Sequence, residues 1–122
     1  MTHTLGLRGA TTADANTPEA ILDATEELLR EIAAANNLAE ADVGAVFFTV
    51  TDDLNAEFPA KAARVRLGWN DTALMDSIEI PAPGAPRSVI RALLLINTDK
   101  QKSQLRHIYL KGARTLRGPQ ND

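Results

Sequence analysis

Apolar residues along this chain recur with two periods, and the order in which those periods alternate predicts its elements. Residues 5–11 read as a first strand, with Gly6, Arg8 and Ala10 on one face and Leu5, Leu7 and Gly9 on the other. Thr17-Pro18 then opens a helix: a hydroxyl N-cap, proline at the first helical position, and Glu19 and Asp23 at the positive end of the dipole. Ile21, Leu22, Leu28, Leu29 and Ile32 form one stripe that carries the helix to about Asn36, leaving Asp23, Glu26, Glu27 and Glu31 as a solvated face. Residues 44–51, rich in β-branched and aromatic side chains, read as a central strand. Pro59 opens a second helix that Gly68 closes. Residues 72–75 and 77–81 are two short strands or one bent one, followed by a turn-rich break at 81–86. An apolar strand interrupted by Arg91 spans 88–97, a polar connection 98–104, a last short strand 106–110, and a basic, loosely ordered tail about 112–122.

Strands and helices interleave without strict alternation, which predicts an α+β fold: one mixed sheet of four or five strands packed by helices. A chain of 122 residues, 44% hydrophobic, suits a single domain over 1–122.

Composition narrows the chemistry. Without cysteine there is no disulfide, no thiolate nucleophile and no Cys-based zinc site, and two separated histidines make no metal cage, so no cofactor or metal is expected. No stretch approaches the ~20 apolar residues that cross a bilayer, and residues 1–8 lack a signal-peptide layout; the expectation is a cytoplasmic protein without a membrane partner. The net charge of −3 hides an asymmetry: two bases against eleven acids in residues 1–57, eleven bases against five acids in 58–122. A mildly acidic chain with 4% aromatic residues is no nucleic-acid binder, and its basic half suits a small anionic metabolite.

Arg91 is the strongest functional signal. A guanidinium inside a strand apolar on both faces needs an anion, because an unpaired buried charge costs several kcal/mol. Either Glu79 supplies it as a structural ion pair or a ligand does. Arg8, Glu79 and Tyr109 are equally awkward inside strands; two guanidinium forks, a phenol and a carboxylate together suit an anion that bears a hydroxyl. No nucleophile–base pair is evident, and His107, on the face of Tyr109, reads as structural.

Residues 7–12 (LRGATT), 58–64 (FPAKAAR), Gly68-Trp69, Glu79, Ile90-Arg91 and 106–110 (RHIYL), in this order and spacing, resemble the monofunctional Bacillus-type chorismate mutases over nearly the whole chain. The resemblance implies rearrangement of chorismate to prephenate, toward phenylalanine and tyrosine, in a homotrimer whose sheets surround a barrel-like centre with active sites between subunits. It implies Arg91 beside the breaking ether oxygen, Glu79 accepting from the ring hydroxyl, and Arg8 near the same ether and carboxylate region. Tyr109, Phe58, Met75 and Leu116 would contact substrate, with Lys61, Arg64 and Arg117 at the rim. Asp76 stands where relatives often carry cysteine, either as a further acceptor or facing solvent. Two alternatives remain: a trimeric imine or enamine deaminase-like hydrolase, and a non-catalytic dicarboxylate-binding regulator.

Overall fold

The protein is described from a computed structural model covering residues 1–116. Five strands, β1 (His3–Thr12), β2 (Val43–Val50), β3 (Ala73–Ile78), β4 (Val89–Thr98) and β5 (Ile108–Tyr109), form one mixed sheet in the order β3-β2-β4-β1-β5. The two central pairings, β1 with β4 and β2 with β4, are antiparallel; the edge strands β3 and β5 join parallel to β2 and β1. One long helix, α1 (Pro18–Asn36), covers one face.

α1 starts where the sequence places it. Thr17 is extended (φ −132°) and its hydroxyl accepts from the Ala20 N–H at 3.1 Å, while Asn37 closes the helix in the left-handed region (φ 53°). Leu28, Leu29 and Ile32 are fully buried against Leu7, Phe48, Leu94 and Ile96, and Ile21 against Val50, Leu54 and Ile90. Removing each such side chain from water is worth about 1.5–3 kcal/mol, so the stripe rather than helix propensity holds α1 down. Buried Asn36 ties the helix end to the last strand: it donates to the carbonyls of Ile32 and Arg106 and accepts from the Arg106 N–H, each at 2.9 Å. At Gly9 a Cβ would lie 2.6 Å from Ile32 Cδ1, so only glycine lets β1 approach α1 this closely.

Several elements differ in detail from the expectation. The second helix is a π-helical turn, Ala62–Arg66, in which the Leu67 N–H reaches back to the Ala62 carbonyl; Gly68 (φ 75°) follows in the left-handed region and Trp69 turns into the core. β3 is one strand, and the Glu79 N–H extends its ladder to the Val50 carbonyl at 2.8 Å. The last strand shrinks to two residues. The tail expected from residue 112 starts with a 3-10 turn, Lys111–Thr115, whose Ala113 is fully buried; the remainder from 117 lies outside the described residues.

The apolar strand β4 is not buried on both faces within one chain. Ile90, Ala92, Leu94 and Ile96 face α1 and are buried, whereas Leu93 is 40% exposed on the opposite face, in register with Phe47 and Arg8. Among the described residues no helix covers that side, and with Phe47 and Met75 it presents a row of large apolar side chains to the outside. Local apolarity marks a strand for burial without saying whether the same chain provides the cover.

Candidate active site

Strand register places Arg91 at the centre of the open face. Directly opposed residues share a face, so Tyr109, Ala10, Arg91, Thr49 and Ser77 form one row across all five strands. Glu79, two residues beyond Ser77, joins them from the β3 end. Its Oε2 accepts from Arg91 Nε at 2.9 Å and from the Thr49 hydroxyl at 2.7 Å. The structural ion pair therefore exists, but it uses only part of each group. Among the described residues Arg91 Nη1 and Nη2 and Glu79 Oε1 make no hydrogen bond, and the Arg91 side chain is 42% exposed. Two fixed donors and one fixed acceptor thus stand side by side, held by a bond that sets their orientation.

Arg8 lies two residues along β1 from Ala10, on the same face and diagonal to Arg91. Its guanidinium makes no hydrogen bond or ion pair among the described residues, while its backbone N–H donates to His107 Nδ1 at 3.0 Å. Tyr109 lines a cavity of about 640 Å³ with Arg106, His107 and Arg114 at the β5 edge. No Asp or Glu lines this cavity among the described residues.

The remaining candidates gather elsewhere. Phe58, 67% exposed, begins the turn that continues through Lys61 into the π-helical segment with Arg64. Phe58 and Asp76 line a cavity of about 290 Å³ with Val50, Leu54, Pro59 and Ile78. Asp76 pairs with Phe48, which is buried beneath α1, so it sits on the opposite face of β3 from Glu79. Its Oδ1 accepts from the Ala60 N–H at 3.0 Å, tying the Phe58 turn to β3, and burial raises its pKa against the lowering by that bond and by Arg64. Glu57, beside Phe58, has a pKa lowered by the Phe58 N–H first, despite slight desolvation, and then by Lys61 at 3.3 Å. Met75 is on the open face, 60% exposed. Leu116 ends the 3-10 turn packed on β1. Arg117 lies outside the described residues.

One chain therefore holds two groups: Arg8, Glu79, Arg91 and Tyr109 on the open sheet face, and Phe58, Lys61, Arg64 and Asp76 around the β3 edge. Residues that support the first group escape a reading by sequence alone. Thr49 acquires its role only through register. Asp53 accepts from the Ser88 N–H and hydroxyl and from the Thr51 hydroxyl, and Thr51 in turn accepts from the Val89 N–H, fixing the entry of β4 two residues before Arg91. Only the oddity of Ser88 at φ 60°, between a turn and a strand, hints at that clamp.

Comparison with known proteins leads to one family. A family model described as chorismate mutase type I matches residues 4–119. The chain is 46% identical over 113 residues to a chorismate mutase AroH of Thermus thermophilus, covering 92% of each. It is 38% identical over 112 residues to the chorismate mutase AroH of Bacillus subtilis, covering 92% of this chain and 88% of that one. A solved chorismate mutase from Clostridium thermocellum superposes with a TM-score of 0.87 at 48% identity, covering 89% of this chain and 96% of the other.

Proposed function

This chain belongs to the chorismate mutase type I family and is an isomerase that converts chorismate to prephenate, and we propose that it does so by gripping the substrate between two subunits of a homotrimer. The observation that carries the reading is the Arg91–Glu79 pair, whose unused Nη donors and Oε1 acceptor sit together on the open face beside the apolar row of Leu93, Phe47 and Met75. A structural ion pair needs no such surplus. A compact dianion with a ring hydroxyl uses both parts.

The rearrangement is intramolecular and needs neither proton transfer nor a covalent intermediate, so restriction and charge are what a protein contributes. The flexible substrate is held in a chair-like arrangement with its reacting carbons together. Bond breaking runs ahead of bond making and leaves negative charge on the ether oxygen. Arg91, oriented beforehand by Glu79, stabilises that charge more than it stabilises the ground state. Glu79 Oε1 accepts from the ring hydroxyl, Arg8 meets the ether and carboxylate region, and Tyr109 donates to the side-chain carboxylate. Loss of one preorganised donor in such a site costs about 10²–10³ in rate, and a whole guanidinium more.

The trimer explains the division of the candidates. Phe58 and Asp76, with Lys61 and Arg64 at the rim, complete the pocket from a neighbouring subunit; Met75 and Leu116 also line it, Arg117 joins the rim, and the rim cations draw the dianion inward. The open row of Phe47, Leu93 and Met75 supports such an assembly, since an apolar face of this size on a small domain calls for a cover. We place the whole chain, 1–122, in one domain. A cytoplasmic location fits a free metabolite as substrate, and no helix among the described residues is long and apolar enough to cross a membrane. The test is direct: purified protein must abolish chorismate's diene absorbance and yield a product that acid converts to phenylpyruvate. Tight binding of chorismate without that product contradicts the assignment.

A further inference from the structure

We infer that His107 is a positioning residue for Arg8 and Tyr109, working as a neutral imidazole whose Nδ1 pins the edge of the site in register. The inference rests on the reading that Arg8 and Tyr109 meet the substrate. The strand that carries Tyr109 is the weakest part of the sheet: β5 pairs with β1 only at Gly9↔Ile108 and Ala10↔Tyr109. Beyond it the Leu110 N–H reaches the Ala10 carbonyl at 2.9 Å. At the near end the Arg8 N–H finds the His107 ring at 3.0 Å, a side-chain acceptor taking the place of a backbone carbonyl. One ring nitrogen thus fixes the backbone of Arg8, and through the two-residue ladder it sets Tyr109 against the same strand.

The donor identifies the protonation state. A backbone N–H only donates, so Nδ1 must be an acceptor and the ring proton resides on Nε2. A second proton on Nδ1 would place two hydrogens face to face and break the bond. Arg106, Tyr109 and Arg114 line the same cavity, with Ser103 and Gln104 uncharged beside them, and Arg8 approaches from β1. No carboxylate lines that cavity among the described residues. α1 packs on the other side of β5, against Ile108, and Lys111 of the following turn is engaged by Asp14 and Glu27. Imidazoles titrate between about pH 5 and 8, so the site loses its register on the acid side of that range. The reaction moves no proton, so a pH dependence in its rate reports groups that hold the site and the substrate, and the His107 variants isolate the share that belongs to the imidazole.

The test compares His107→Asn, whose amide oxygen falls near the Nδ1 position, with His107→Gln, whose longer arm overshoots it, and with His107→Ala, across pH 5–9 in the assembled enzyme. At pH 8, His107→Asn keeps kcat/KM within about threefold of the parent, while the Gln and Ala variants lose about tenfold or more, the worth of one hydrogen bond. His107→Asn also flattens the acid limb of the parent profile. Because His3 and His107 are the only histidines, a His3→Asn protein isolates the His107 imidazole for 15N spectroscopy, where the Nε2–H tautomer is expected. That spectrum needs no altered His107 and so stands even if the Gln and Ala variants misfold. An Nδ1–H tautomer, or His107→Ala with the parent's rate and pH profile, overturns the proposal. Parental turnover in both Arg8→Ala and Tyr109→Phe overturns the placement of those two residues at the substrate, and the inference with it, whatever the tautomer.

Discussion

Two inactive variants, each broken in a different half of the proposed site, should restore one another. Arg91→Ala removes the guanidinium from the open sheet face, and Phe58→Asp sets a negative charge at a 67% exposed position of the second group, where it repels a dianion without disturbing the core. The division of the structure gives the magnitude. If each site takes Arg91, Glu79, Arg8 and Tyr109 from one subunit and the Phe58 group from its neighbour, a site in a randomly mixed trimer is intact when both contributing chains carry the undamaged half. That occurs in about a quarter of sites at equal expression, so co-expressed protein should show about a quarter of the parental turnover while each variant alone shows almost none. The assay is the loss of chorismate absorbance by co-purified, differently tagged chains. Sizing of the mixture checks that exchange took place. Mixed trimers no more active than either parent would refute the shared cleft, because a site contained in one chain cannot be repaired by another.

Other consequences follow from particular contacts. Glu79→Gln should retain more turnover than Glu79→Ala, since an amide oxygen still accepts from a hydroxyl; equal losses in steady-state rates would remove that role. Gly9→Ala forces a methyl to within 2.6 Å of Ile32 Cδ1 and 3.1 Å of the Ile108 carbonyl, and should destabilise the fold by about 1–3 kcal/mol in urea titrations. Asp53 and Asp76 should tilt stability in opposite directions with pH. Desolvation opposes ionisation of Asp53, but hydrogen bonds from Thr51 and Ser88 prevail and lower its pKa; its contribution is present above the unfolded-state value and lost as pH falls through the folded one, so Asp53→Asn flattens the acid fall in urea midpoints. Burial raises the pKa of Asp76, so the native state holds that proton longer and stability declines as pH rises from the unfolded to the folded value. Asp76→Asn, which still accepts from Ala60, should abolish that decline in the same titrations.

What the sequence disclosed was local. The Thr17-Pro18 cap, the α1 stripe and the β-rich run after Gly44 each carry their signal within a few residues, and all three elements form there. Arg91 could be singled out because one charge in ten residues of strand breaks a pattern visible without any partner. The rest depends on contacts distant in the chain. Thr49 and Arg91 meet through β2–β4 register, forty-two positions apart, and nothing near either residue announces the pairing. The open face of β4 is equally silent: Leu93 and Leu94 are alike as letters, yet one faces α1 and the other faces out. Asp76 and Glu79 differ by an odd number of positions, and a single strand sends them to opposite faces; the sequence leaves open whether that strand is broken, so the parity could not be used.

The most direct trial of the central claim is a single-turnover measurement on Arg91→Ala and Arg91→Lys, each first shown to be folded and of parental size. The account predicts that the alanine variant loses at least about 10²–10³ in the chemical step, and that lysine recovers little because one ammonium cannot occupy both the Glu79 contact and the ether oxygen. Rearrangement by Arg91→Ala at close to the parental rate would contradict it.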